Sequence, residues 1–399
     1  MFFVGVTRFS LYYPNAVGWN LTQLGLSNEE YAARLFDEKR LDPRWWIFSQ
    51  LSVPQLALGS ERFNYRHIVQ ISPELPEKFK ESLQQLACEY KFLVISEESS
   101  EHAHSAFVEQ QIRDLSQKTG SRHFALFRLD DDDVLADNYF RSLATYVREP
   151  FVGLGVSFGR GFQVMLLGRN LFNFRRLYQP RNSMGLALIG KVTSQNGIVR
   201  GRFSNHARCD LEVPTVLDSR SPIVLSIKHR GQDSLATGQQ GEATHLSGAS
   251  NYLEPTVEDE IVLDWFSKLK EFTRGVDKKV IFDGRPESSL STYPEAVRFN
   301  IDGPCLIEIA MTFTSQDAGD DKRFFISLPF QPDHLEWPWK KFQHSAIVAG
   351  IPFNKGGVQS LPLKVPAGVR IKSASFWQSR AAGDNNSLNR VVISEITEW

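Results

Sequence analysis

Phe124-Ala125-Leu126-Phe127-Arg128-Leu129-Asp130-Asp131-Asp132-Asp133-Val134-Leu135 is the stretch on which the reading of this chain turns. An apolar run of strand length ends in four successive carboxylates, and a second apolar pair follows. Such a strand delivers acids to the carboxyl edge of a sheet, where open α/β folds bind their ligands. Adjacent carboxylates repel one another, so a compact fold keeps them in water or around a cation. Oxygen-only donors suit Mg²⁺, Mn²⁺ or Ca²⁺, and such an ion can clamp a diphosphate. Arg128, directly before the acids, is a candidate phosphate partner. The plainer alternative is a solvated acidic turn.

Working outward, Phe2–Phe9, Arg66–Ile71 and Phe92–Ile95 have the length and composition of strands. Between them apolar residues recur at helical spacing: Phe79, Leu83, Leu86 and Tyr90, then Val108, Ile112 and Leu115. Strands alternating with helices imply crossover connections and a mainly parallel sheet. Phe151–Val156 and Phe162–Leu167 flank Gly159-Arg160-Gly161 and suggest a hairpin that adds antiparallel strands at one edge. Val224–Ile227 reads as a further strand, followed by His229.

After Arg274-Gly275 the pattern changes to short alternating or apolar runs separated by turn residues, among them 297–301, 306–313, 324–328, 369–371 and 391–399. This predicts an all-β sandwich of jelly-roll type. The division expected is an α/β domain over 1–275 and a β-sandwich over 280–399.

Bulk properties narrow the function classes. The chain has 399 residues, 42% of them hydrophobic and 23% charged, as in folded domains. A formal net charge of −1 argues against a general nucleic-acid binder, which needs a basic surface. Cys88, Cys209 and Cys305 match neither a zinc motif nor a disulfide framework, which suggests reduced thiols in the cytoplasm. No run approaches the length of a bilayer span, so membrane contact is expected to be peripheral at most.

A strand ending in Asp-x-Asp resembles the A-type (GT-A) nucleotide-sugar glycosyltransferase fold. Arg128-Leu129-Asp130-Asp131-Asp132-Asp133 is similar to the stretch that recurs in the bacterial rhamnosyltransferase group. Arg8-Phe9-Ser10, Trp45–Gln50 with Val53-Pro54-Gln55, and His229-Arg230-Gly231-Gln232-Asp233-Ser234 add to the likeness, which covers roughly residues 1–240. It implies a metal-dependent, inverting transferase of the cytoplasm, at most touching the inner face of the membrane. Its donor would be a nucleotide-diphosphate sugar such as an activated rhamnose, and its acceptor a surface glycan. It further implies Mn or Mg held by Asp130, Asp132 and His229, with the nucleotide sugar contacting Arg8, Arg128, Asp130 and Asp131. The catalytic base would be Asp233 or Asp210, taking the acceptor hydroxyl proton.

Other residues read as ordinary. His102 and His104 lie among polar neighbours and read as solvent-facing, and Trp19, Trp45 and Trp46 read as core. The C-terminal sandwich would bind glycan or join copies of the chain. Two rivals are a sugar nucleotidyltransferase and a Ca²⁺-dependent carbohydrate-binding protein. The first lacks its glycine-rich loop after strand one, and the second rests on the weak cluster Asp317, Asp320 and Asp321.

Overall fold

The computed structural model describes residues 1–13, 26–203, 205–229, 257–273, 275–285, 295–314, 323–331, 346–352, 357–365, 368–378 and 387–397. Two compact units emerge. The first comprises Met1–Gln163, Leu177–Ile227 and Glu260–Glu271; the second comprises Val164–Arg176, Lys228–Asp259 and Phe272–Trp399. The division follows contacts, so Val164–Arg176 counts with the second unit although it lies within the span of the first.

The first unit is mixed α/β. Its main sheet contains β1 (Phe2–Arg8), β2 (Tyr65–Ile71), β3 (Leu93–Glu97), β4 (His123–Arg128), β6 (Gly155–Ser157), β9 (Ala187–Val192), β10 (Ile198–Arg200) and β11 (Thr215–Leu217). The order is β11-β6-β9-β4-β1-β2-β3, with β10 beside β9. Strands β4, β1, β2 and β3 run parallel, and β9 is antiparallel to both β4 and β6.

Burial explains why these strands are apolar along their whole length. On β1, Phe2 and Val4 pack with Val108, Ile112 and Leu115 of α5 (Glu101–Thr119), while Phe3 points the other way onto Phe140 and Leu143 of α6 (Tyr139–Ala144). A parallel strand covered on both faces has no polar side to present. Between these faces Gly5 is obligatory: a Cβ there would lie 2.3 Å from Nδ1 of His67 and 2.7 Å from the Phe127 ring.

A second, four-stranded sheet runs β5-β12-β7-β8, from β5 (Asp133–Leu135), β12 (Val224–Lys228), β7 (Arg160–Leu167) and β8 (Asn170–Tyr178). The hairpin is therefore not where its glycines suggest. Phe151 ends a 3₁₀ turn, β6 joins the main sheet, and β7 turns through Gly168-Arg169 into β8. Gly161 instead allows close approach to β12, since a Cβ there would lie 1.9 Å from the Val224 carbonyl oxygen.

In the second unit, two four-stranded sheets are assembled from antiparallel pairs. One runs β13 (Lys278–Gly284), β20 (Ser387–Ile396), β15 (Cys305–Thr314), β18 (Gly357–Val365); the other runs β14 (Glu295–Asp302), β19 (Arg370–Gln378), β16 (Arg323–Gln331), β17 (Ala346–Pro352). Residues of both sheets, including Ile307, Ile309, Leu363, Ile326, Ile371 and Phe376, form one apolar cluster. Met165, Leu167 and Phe172 of the β7–β8 hairpin pack with Leu306 and Ile396. Beside them Glu308, 6% exposed, accepts from the Ser360 hydroxyl at 2.5 Å and faces the Lys278 ammonium at 2.6 Å. Among the described residues, no helix is long and apolar enough to cross a membrane.

Candidate active site

The site lies at the carboxyl edge of β1 and β4. Leu129, fully buried, continues β4 by donating its N–H to the Val6 carbonyl at 3.0 Å, and the Thr7 hydroxyl donates to the Leu129 carbonyl at 2.9 Å. The Thr7 oxygen in turn accepts from Nε2 of His67 at 2.8 Å, while Nδ1 accepts the Tyr65 hydroxyl at 2.6 Å. Because Thr7 spends its proton on Leu129, the ring carries its hydrogen on Nε2. Burial pushes the His67 pKa down to about 3, so the imidazole is neutral. This chain of hydrogen bonds fixes the backbone from which the four acids depart.

The acids form a turn, with the Asp133 N–H donating to the Asp130 carbonyl at 3.3 Å. Asp130 accepts at Oδ1 from Nε of Arg128 at 2.9 Å, with Nη2 of Arg128 at 2.7 Å from the same oxygen, and accepts at Oδ2 from the Ser183 hydroxyl at 2.8 Å. Asp131 is 2% exposed and paired through Oδ1 with Arg44. Burial lifts its carboxyl to about 6 against the pull of Arg44, and its Oδ2 is a buried acceptor without a partner among the described residues. Asp132, also buried, lies 3.3 Å from Nη2 of the same guanidinium. Asp133 begins β5, and its carbonyl accepts from Ser52 at 2.6 Å.

Arg44 and Ser52 arrive on a single segment. Helix α2 (Glu38–Ile47) passes through a π-helical turn, Phe48–Ser52, into α3 (Val53–Ser60). Such wide turns cluster at functional sites because they re-aim side chains without ending the helix. Arg44, Ser52 and Gln55 then hold Asp131, Asp133 and Asp137 respectively.

Beside the turn opens a cavity of about 520 Å³. Arg8, Arg128, Arg200, His206, Tyr13, Glu101 and Ser183 supply its polar lining, and Val6, Leu126, Leu186 and Phe203 are among its apolar walls. The volume falls within the range of small-molecule sites. Burial, and next the neighbouring Arg128, lower the pKa of both Arg8 and His206. Tyr13 is pushed up to about 12, chiefly by burial.

Of the residues expected to contact a nucleotide sugar, Arg8 and Arg128 line this cavity and Asp130 is bound to Arg128 at its margin. Asp131 points inward to Arg44 and does not line it. Asp210 sits on the short helix α7 (Cys209–Glu212), where it accepts from Arg181 at 2.6 Å in an exposed ion pair outside the cavity lining. His229 follows β12, is 4% exposed and belongs to the second unit. Asp233, the cluster Asp317, Asp320 and Asp321, and Trp19 lie outside the described residues. Trp45 packs against the core cluster of Phe9, Phe48 and Phe79.

His104 is buried, not solvent-facing: it shares a helix face with Val108, Ile112 and Leu115, and its Nδ1 lies 2.9 Å from the Ser96 hydroxyl. Its spacing from Val108 and Ile112 carried that information. Arg44, Arg200 and His206 were not anticipated. None of the three stood out in the sequence: Arg44 is one of five charged residues in the segment Glu38–Ile47.

The carboxylate oxygens are chemically suited to Mn²⁺ or Mg²⁺, but their surroundings are not. Asp130 is engaged by Arg128 and Ser183, and Asp131 and Asp132 share Arg44. Among the described residues no group of three His, Cys, Asp or Glu side chains could hold a metal. As arranged, the turn does not fit a divalent ion.

No curated protein matches the chain significantly. Among solved structures, 4-diphosphocytidyl-2C-methyl-D-erythritol synthase is similar over 59% of this chain and 98% of its own, at 9% identity and a TM-score of 0.27. A glucose-1-phosphate thymidylyltransferase from Bacillus anthracis matches over 60% and 94%, at 8% identity and 0.26. The GH115 4-O-methyl-alpha-glucuronidase BtGH115A matches over 30% of this chain at 11% identity and 0.21, and the chain spans only 18% of that enzyme. At these scores none of the three bears on function. A family model described as "Putative rhamnosyl transferase" matches residues 3–241, well over half of the sequence and all of the acidic turn. The chain belongs to this rhamnosyl transferase family.

Proposed function

We propose that the chain is a glycosyltransferase that moves a hexose, by family a rhamnose, from a nucleotide-diphosphate donor to a bacterial surface glycan. Family membership supports the class of reaction. The observation that carries the finer reading is the cationic cavity at the carboxyl edge of β1 and β4, where Arg8 and Arg128 can meet a diphosphate. In glycosyl transfer negative charge develops on the departing phosphate, and fixed guanidiniums aimed at it stabilise the transition state more than the ground state.

Inversion requires a base that takes the acceptor hydroxyl proton as the hydroxyl attacks the anomeric carbon. Asp233 is our candidate from sequence, since Asp210 is occupied by Arg181 outside the cavity lining. No step is routed through Mn²⁺ or Mg²⁺, because the carboxylates of the turn already face guanidiniums. The second unit would serve as a β-sandwich accessory module that binds the glycan or joins copies of the chain, with the whole acting at the cytoplasmic face of the membrane.

Thermal shift with nucleoside diphosphates, with and without Mn²⁺, tests this reading. A bound ligand raises the melting temperature in proportion to occupancy. A uridine or thymidine diphosphate should stabilise the chain, and Arg128→Ala should remove most of the shift. A shift that needs Mn²⁺ and vanishes in Asp132→Ala would restore the metal. No shift with any nucleoside diphosphate would sink the proposal.

A further inference from the structure

The cavity holds more positive charge than two arginines explain. Arg200 closes β10 and His206 opens a 3₁₀ turn, and both line the same space as Arg8 and Arg128. Three guanidiniums and an imidazole thus face one lining carboxylate, Glu101. Glu101 is 71% exposed and reaches Arg8 only at 3.4 Å, so it offsets little of that charge. Arg128 is also partnered by Asp130.

Like charges drawn together in a partly dry cleft repel one another and lose hydration. The titration directions agree, since burial lowers the Arg200 pKa and the neighbouring Arg202 lowers it further. Nε of Arg200 is also a buried donor with no partner among the described residues. An anion in the cavity answers both features, and a guanidinium fork matches phosphate oxygens in particular.

We infer that Arg200 and His206 complete, with Arg8 and Arg128, a cradle for the diphosphate of the sugar nucleotide, and that this cradle binds phosphate groups without a divalent cation. The identity of the nucleotide rests on the function proposed above; the phosphate site does not. Arg128 joins the two halves of the site, holding Asp130 on one side while lining the cavity on the other.

Calorimetric titration of the full chain with inorganic pyrophosphate, UDP and TDP, each in EDTA and then in Mn²⁺, tests the cradle. Pyrophosphate and at least one nucleoside diphosphate should bind in EDTA. Arg200→Ala should weaken both by about tenfold to a hundredfold, the usual range for a lost charge-assisted contact. Arg200→Lys should recover part of that loss, because it keeps the charge and loses the fork. Arg141→Ala, on an exposed helix position outside the cavity, should match the parent chain. If Arg200→Ala does not fold, Arg200→Lys and His206→Gln carry the comparison.

Pyrophosphate binding in EDTA with no added affinity for UDP or TDP would keep the cradle and overturn the nucleotide. Nucleoside diphosphate binding that needs Mn²⁺ and ignores Arg200→Lys and His206→Gln would keep the nucleotide and overturn the cradle.

Discussion

At the scale of single residues, His67 is the most informative. It is fully buried, accepts a hydrogen bond from the Tyr65 hydroxyl and donates one to the Thr7 oxygen. Its pKa falls from 6.5 when unfolded to about 3 in the fold because burial disfavours the charged ring. Between these values the unfolded chain binds the extra proton, so this residue's stabilisation is complete above pH 6.5 and is lost as the pH drops toward 3. The slope reaches about 1.4 kcal/mol per pH unit. Asp131 works in the opposite sense: burial raises its pKa from 3.8 to about 6, so its contribution falls as the pH rises through that interval. The two overlap, and only a difference separates them. Denaturant titrations from pH 5 to 6.5 should show His67→Gln losing one proton's worth of slope relative to the parent chain. Parallel pH curves for the two proteins would contradict a neutral, buried imidazole.

At the scale of elements, the acidic turn is inseparable from the α2–α3 segment that grips it. The Arg44, Asp131 and Asp132 side chains are 8%, 3% and 11% exposed, so removing the guanidinium strands two carboxylates away from water. Arg44→Ala should cost about 3–5 kcal/mol, the usual range for breaking a buried pair. Adding Asp131→Asn should recover part of it. Chemical denaturation of the single and double variants checks both, and a loss below about 1 kcal/mol would contradict a buried, paired turn.

The same elements show what was legible beforehand. The alternation of β1, β2, β3 and β4 with α4 (Glu77–Glu89) and α5 could be read from periodicity, because each strand is covered on both faces and each helix on one. The pairing of β7 could not. Gly159 and Gly161 look like turn residues, yet Gly161 is needed for close passage by Val224, a partner more than sixty positions away. The acids were visible, but their counter-ion was not: Arg44 meets Asp131 across 87 positions, and only the fold brings the two together. Arg200 and His206 were hidden for a related reason, since neither belongs to any local pattern that marks an anion site.

At the scale of the whole molecule, chain order and unit membership part company. Val164–Arg176 lies inside the sequence of the first unit but is counted with the second, where Met165, Leu167 and Phe172 pack on Leu306 and Ile396. A cut at the composition change near residue 275 would leave these three side chains without partners. A fragment of residues 1–275 should therefore melt below the full chain and self-associate, as exposed apolar patches do. Static light scattering with differential scanning calorimetry decides it. A monodisperse fragment melting like the full protein would show that the hairpin does not depend on the C-terminal strands.

Interleaving also has a price in time. During synthesis Phe172 leaves the ribosome roughly two hundred residues ahead of Ile396, which at ordinary elongation speeds is about 10–45 s of waiting. For that interval the apolar side chains of the hairpin wait without the strands they pack on, and the cell's holding chaperones become their natural guardians. Expression yield should track chaperone supply more closely than the stability of the mature protein would suggest.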